Sequence, residues 1–287
     1  MILSPAKTLD LTPMPINLEV DTSQPDCDEA KTKELVEILQ SKSKKRLKDL
    51  LKVSDKIVHN VKKYYDTFDV DATTDENQKP ALFMFDGPAF QSISPSTLDT
   101  PTMQYMQKNL HILDALYGAL RPLDMIQPYR LDMNNKAMLT ALNASSKHKT
   151  MASWWKESIT SRIILDMTER KSTVLLNLAS EEFAAAVDSA LVSKKDTDGQ
   201  NLRCMKVAFM QEGQVRAVHA KKARGLMVRY ISQNQLEDVD EIRKFNWDGY
   251  SFCPEKSNDY LMVFDRSKNW DSGIDKGEPS TKRQKIM

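Results

Sequence analysis

Short apolar runs and amphipathic stretches follow one another along the chain without a strict order. Met1-Ile2-Leu3 reads as an apolar strand running into a loop at Ser4-Pro5-Ala6-Lys7. Residues 12–28, rich in Pro, Asp and Thr, read as surface loop. Leu35, Ile38 and Leu39 share a helical face, and Leu47, Leu50 and Leu51 continue it past the basic run Lys42, Lys44, Lys45, Arg46 and Lys48. Ser54 caps a further helix carrying Ile57, Val58 and Val61. After a polar linker at 69–80, residues 81–85 (ALFMF) read as a buried strand ended by Asp86-Gly87-Pro88. Thr100-Pro101 is a cap with a first-turn proline, opening a helix with Met103, Met106, Leu110 and Leu113. Its end is not fixed by the pattern, because residues 113–120 also read as a strand.

A polar loop at 134–150 leads to an amphipathic helix marked by Trp155, Ile159, Ile163 and Met167. Residues 173–178 form an apolar strand, and Ser180 caps a helix holding Phe183 and Val187. Residues 203–210 and 214–220 read as a hairpin about Glu212-Gly213, followed by a helix over 221–233. Residues 249–253 and 260–264 form a last hairpin. There are no internal repeats. Strands and helices mix without alternation, which gives an α+β class: one compact domain over 1–266 and a polar, disordered basic tail over 267–287.

Charge changes this picture little. With 41 basic and 40 acidic residues the net charge is +1, so any basic site is a local patch offset by acids elsewhere. The three cysteines, Cys27, Cys204 and Cys253, form no C-x-x-C pair, which argues against a disulfide framework or structural zinc and favours a reducing compartment. The four histidines are scattered and none lies in H-E-x-x-H, so neither a metal site nor a cofactor is expected. No apolar run spans a bilayer and the opening residues lack signal-peptide architecture. A cytoplasmic location follows, or a nuclear one if Lys282-Arg283-Gln284-Lys285 is read as an address. Walker, G-x-G-x-x-G and G-x-S-x-G motifs are absent, and no catalytic residue can be named.

Two stretches concentrate chemistry. Residues 111–133, HILDALYGALRPLDMIQPYRLDM, hold Tyr117, Gly118, Arg121, Pro122, Pro128, Tyr129 and Arg130. Glycine and proline there predict a rigid, bent segment that aims two guanidiniums and two phenols. Guanidinium forks suit carboxylate or phosphate; a buried turn whose arginines pair with Asp124 and Asp132 accounts for the same residues. The second stretch is KKARGLMVRYI. Arg216, Lys221, Lys222, Arg224 and Arg229 lie between Gly213 and Gln235 with no acid among them. Cations at a helix start oppose the macrodipole unless an anion is bound; a basic face paired with distant acids is the alternative. Ser4 to Lys7 fits S-x-x-K, but the companion S-D-N and K-T-G motifs are absent, and Lys7 reads better as a strand-end cation. Asn177, Ser180, Glu181 and Glu182 mark another strand end, suited to a ligand or to helix capping.

Taken together, ILSPAKTLD, LYGALRPLDMIQPYRLDM, LLNLASEEF, KKARGLMVRYI, GYSF and LMVFDR resemble the blocks of the YaaA family, in family order over residues 2–266. The chain departs from the family's F-x-G-D-V-Y block, reading Phe85-Asp86-Gly87-Pro88-Ala89-Phe90 and so losing the acid and the phenol. The resemblance implies a mixed fold peculiar to the family, a basic cleft and a helix-hairpin-helix element, with Gly118 or Gly87 as its turn. It also implies double-stranded DNA as partner and a role in peroxide stress, limiting iron-driven oxidative damage. No membrane or protein partner is implied. The expected phosphate contacts are Lys7, Arg121, Arg130, Lys221, Lys222 and Arg224, converging on one concavity. Ser4, Tyr117, Gly118, Tyr129, Asn177, Ser180 and Glu181 are the polar candidates around them. An enzyme acting on a small phosphorylated or nucleotide substrate in the same cleft is the alternative.

Overall fold

The structure, a computed structural model, describes residues 1–14, 19–71, 77–192 and 202–268. Its strands are β1 (Ile2–Leu3), β2 (Lys79–Pro80), β3 (His111–Asp114), β4 (Gly118–Leu120), β5 (Met125–Ile126), β6 (Val174–Asn177), β7 (Arg203–Gln211), β8 (Ser251–Phe252) and β9 (Leu261–Arg266). The helices up to the first long strand pair are α1 (Glu29–Gln40), α2 (Lys44–Leu51), α3 (Asp55–Asp66), α4 (Ala81–Met84), α5 (Pro88–Ile93) and α6 (Thr100–Asn109). Beyond it come α7 (Lys136–Ala141), α8 (Met151–Glu169), α9 (Glu181–Ala184), α10 (Ser189–Val192), α11 (Ala217–Gln233) and α12 (Val239–Ile242).

The two residues of β1 lie at the middle of the main sheet. Ile2 and Leu3 are buried, and β1 pairs in parallel with β3 on one side and β6 on the other. The seven strands run β4-β3-β1-β6-β7-β9-β8, with five parallel strands inside and an antiparallel strand at each edge. β2 and β5 form a separate antiparallel pair. Strands covered on both faces favour consecutive apolar residues, and Ile112-Leu113 in β3 and Val174-Leu175-Leu176 in β6 are such runs, ended by the polar residues His111, Asp114 and Asn177. One contiguous apolar cluster extends from Ile2 to Phe264, so the mixed class and single domain stand, with a mostly parallel sheet that the α+β reading did not specify.

Because β1 has its neighbours on opposite sides, the loops after β1 and β6 leave the carboxyl edge of the sheet in different directions. That is the switch point at which open α/β sheets form a crevice.

Several sequence expectations are corrected. Residues 81–84 are helical, because a short, wholly apolar run has no period to distinguish helix from strand. Residues 214–220 are not a returning strand: β7 pairs in parallel with β6 and β9, and α11 starts at Ala217. The loop expected at 134–150 contains α7. Asp99, not Thr100, caps α6, accepting from Thr102 N at 3.0 Å. Gly118 lies at the hairpin between β3 and β4 with φ of 80°, which excludes it as the turn between two helices. A Cβ there would stand 2.8 Å from the Trp155 ring and 2.9 Å from Cys27 Sγ. Gly87 opens α5, which is followed by α6. The expected tail lies outside the described residues beyond Lys268.

Candidate functional site

A cavity of about 280 Å³ opens at the carboxyl edge of β1 and β6. The loop after β1 (Ser4 to Leu9), the start of α5, the segment Tyr129 to Asp132, the loop after β6 and the first half of α11 form its walls. Each wall is fixed by a local device. Ser180 N donates to Ser4 Oγ at 2.9 Å, and the two hydroxyls are 3.2 Å apart, so the loops after β1 and β6 are tied together. Ser180 therefore stands at the start of α9 without a side-chain capping bond. Asn177 Oδ1 accepts from Ala179 N at 3.0 Å and shapes the same turn.

The opposite wall rests on a close helix crossing. Gly225 of α11 lies against the backbone of Ala89 in α5, so near that a Cβ would stand 2.0 Å from the Ala89 carbonyl oxygen. Gly87 allows a similar approach to Ala6, whose Cβ would be 2.8 Å away. Arg229, buried one turn further along α11, donates to Ile93 O and Thr97 Oγ1, both at 2.7 Å. It thereby satisfies a carbonyl left over at the end of α5.

The cations divide into two groups. Lys7 Nζ lies 2.9 Å from Asp132 Oδ2, and Arg130 shares that carboxylate at 3.5 Å while donating to Lys7 O at 3.2 Å. The ammonium of Lys7 is thus engaged with Asp132 rather than with Ser4, and the S-x-x-K pairing is not formed. Lys221 and Arg224 of α11 also line the cavity, and neither has a hydrogen-bonded or ion-paired partner among the described residues. Arg224 Nε is buried and unpartnered, and burial lowers the guanidinium's pKa, with the nearby Glu181 carboxylate opposing that shift. Glu181 itself is ion-paired to Lys206. An uncompensated, partly desolvated cation facing a cavity is a ready anion site.

The other predicted contacts lie elsewhere. Arg121 is not in the cavity wall: its guanidinium holds Asp166 at 2.7 Å and Gln107 O at 3.2 Å. Asp166 is buried, which favours protonation, but His111, Arg121 and Arg162 outweigh this and hold its pKa down to about 2. The expected convergence therefore holds for Arg130, Lys221 and Arg224 and fails for Arg121. Lys222 points to Asp248 at 3.3 Å. Tyr117 and Tyr129 are buried: Tyr117 Oη accepts from Gln127 N at 3.0 Å, and Tyr129 Oη donates to Asp114. Burial pushes both phenols' pKa upward, so they remain protonated and neutral. α11 starts one turn before Lys221, which moves Lys221 and Lys222 off the helix terminus and weakens the macrodipole argument for an anion there.

Sequence reasoning missed the support behind α11. Buried Arg266 bonds Asp248 Oδ2 at 2.5 Å and lies 2.6 Å from His219 Nδ1, while Asp248 also holds Lys222. The LMVFDR and GYSF blocks thus brace the helix that presents Lys221 and Arg224. The only signal for this was an Asp-Arg pair ending an otherwise apolar strand.

A family profile described as peroxide stress protein YaaA matches residues 1–256. The chain belongs to the YaaA family. Its relatives include a "UPF0246 protein" of Francisella tularensis subsp. tularensis, 34% identical over 266 residues, covering 93% of this chain and 99% of the relative. A "UPF0246 protein" of Francisella tularensis subsp. novicida is 33% identical over the same length and coverage. That of Francisella philomiragia is 32% identical. These relatives are bacterial, so they lend nothing to a nuclear reading of the tail. Among the described residues no helix is long and apolar enough to cross a membrane. The block that departs from the YaaA pattern, Pro88-Ala89-Phe90, forms the α5 wall of the cavity.

Proposed function

We propose that this YaaA-family chain binds double-stranded DNA through its phosphates as part of the response to peroxide. The observation that carries the reading is the pair Lys221 and Arg224, side by side on α11 at a cavity rim and without a carboxylate partner among the described residues. Lys7 and Arg130 widen the positive rim to the far side of the opening. Val215 and Val218, exposed beside them, leave this end of α11 open to a large partner. α5 and α6, joined through Ser94 and a short 3-10 turn, are the pair we assign as the helix-hairpin-helix element. Contacts of this kind read phosphate rather than base edges, so binding is largely indifferent to sequence.

The test is a salt titration of anisotropy on two unrelated duplexes. Log K falls linearly with log salt, with a slope near −0.9 per phosphate contacted. Arg224→Ala weakens both duplexes alike and flattens the slope by roughly one unit. Salt-insensitive binding, or an unchanged slope in the variant, removes Arg224 from the interface.

A second reading has its own support. A small crevice at a sheet switch point is the usual seat of a small phosphorylated ligand. On that reading the protein acts on a free nucleotide, and binding does not depend on duplex length.

A further inference from the structure

We infer that the cavity takes a single nucleotide swung out of a duplex, with Val215 and Val218 filling the gap left in the stack. This rests on the duplex-binding reading and assigns the cavity a role within it. The cavity, about 280 Å³, lies at the small end of sites for small molecules, matching one base with its sugar and not a helix. Its walls are of two kinds. Pro5, Leu9, Phe90, Leu178 and Phe183 offer apolar faces suited to a flat ring. Arg224 and Lys221 supply unpaired positive charge suited to the phosphate attached to it.

The arrangement along α11 supplies the second half of the argument. Val218, Lys221 and Arg224 follow at three-residue spacing, which places them in succession along one side of the helix. The first is 68% exposed, the second is exposed, and the third is partly buried at the cavity. Val215, two residues before the helix starts, is 59% exposed. Val215 and Val218 lie outside the apolar core and together present an apolar surface next to these cations. Proteins that unstack DNA place an apolar wedge between base steps with cations on the flanking phosphates, and an extruded base needs a fitted pocket close by. Wedge, cation and pocket occur here in that order along the segment that leads into α11 and its first two turns.

The ligand chemistry, a nucleoside phosphate, could also come from free nucleotide, and the test separates the two sources. A duplex carrying one 2-aminopurine is titrated with the full chain while fluorescence and anisotropy are read together. The expected result is a several-fold rise in 2-aminopurine fluorescence as anisotropy saturates. Excess dAMP reverses the rise without releasing the duplex. The double variant Val215→Ser, Val218→Ser, altered only at exposed positions, loses the rise even at protein concentrations where anisotropy is saturated. Saturating anisotropy with no rise in fluorescence overturns the inference and leaves duplex binding standing. Binding of dAMP without binding of duplex overturns both and makes the cavity a free-nucleotide site. Binding of neither overturns both and leaves the cavity without this ligand.

Discussion

The crossing of α11 over α5 makes Gly225→Ala the most informative single substitution. Glycine within a helix is unfavourable by about 1 kcal/mol relative to alanine, so on propensity alone the variant is stabilised. The structure reverses that sign. The added Cβ would lie 2.0 Å from Ala89 O and 2.7 Å from Ala89 C. These are backbone atoms of a helix anchored at its far end by Arg229, not the tip of a side chain that can swing aside. About 1.4 Å or more of extra separation is needed to reach ordinary contact, and overpacking of this kind costs about 1–3 kcal/mol. With the contact against a peptide group, the upper part of that range applies. After the propensity gain, net destabilisation is about 2 kcal/mol, or roughly 4–8 °C in Tm.

Because Ala89 and Phe90 line the cavity, the same displacement weakens ligand binding. Gly213→Ala is the control: its φ is +72°, its Cβ meets only Lys256 Nζ at 3.8 Å, and its cost is strain alone, about 1 kcal/mol, without loss of binding. Urea unfolding and duplex binding are measured on both variants. A Gly225→Ala protein as stable as the parent refutes the crossing as described.

Arg121→Ala should lower stability by about 1–3 kcal/mol, because buried Asp166 loses one of three partners, while the salt slope of DNA binding stays unchanged. A flattened slope would return Arg121 to the binding surface. Burial pushes His111 down to about 4 from 6.5, so the unfolded chain takes up that proton first and stability is lost as pH falls from 6.5 to 4. Burial raises Asp124 from 3.8 to about 6, so the folded chain takes up that proton first and stability is gained as pH falls from 6 to 3.8. Each contribution is about 3 kcal/mol at most, and the two oppose each other. Relative to the parent, His111→Gln therefore gains stability on acidification over this window and Asp124→Asn loses it; parallel pH profiles for the parent and both variants would contradict the assignment.

What the sequence revealed depended on whether a signal was local. Glycine and proline in residues 111–133 announced a bent, rigid segment, and Asp114 closes that bend by accepting from Leu116 N and Tyr117 N. The partner of Arg121 was hidden, because Asp166 is distant in sequence and meets it only through the packing of α8 on β4. The start of α11 was misplaced because Gln214 to Ala217 alternates polar and apolar like a strand, while the exposure of Val215 and Val218 makes that pattern irrelevant to burial. The cavity itself could be named only by its corners. Ser4, Lys7, Tyr129, Arg130, Ser180, Lys221 and Arg224 all line it, whereas Asp132, Phe183 and the α5 wall fell within the family blocks without being named as site residues.

The distribution of paired and unpaired cations carries one more consequence. Lys222, Lys206 and Arg121 pair with carboxylates outside the cavity wall, Asp248, Glu181 and Asp166, whereas Lys7 and Arg130 share Asp132, which lies in it. A carboxylate at the rim of a phosphate site opposes the ligand it faces, and its charge is screened less where the rim is partly buried. Asp132→Asn removes that opposition and frees two cations for phosphate. The Lys7 pair is exposed on one side, with side chains 59% and 27% accessible, so its loss costs the fold no more than about 1 kcal/mol. Duplex affinity should then rise several-fold at low salt, and the salt slope should steepen by about one to two units as each released cation reaches a phosphate. Anisotropy titrations of parent and variant across salt give both numbers. Unchanged affinity with an unchanged slope would mean that Lys7 and Arg130 hold the rim together and never meet the nucleic acid, leaving Lys221 and Arg224 as the binding pair.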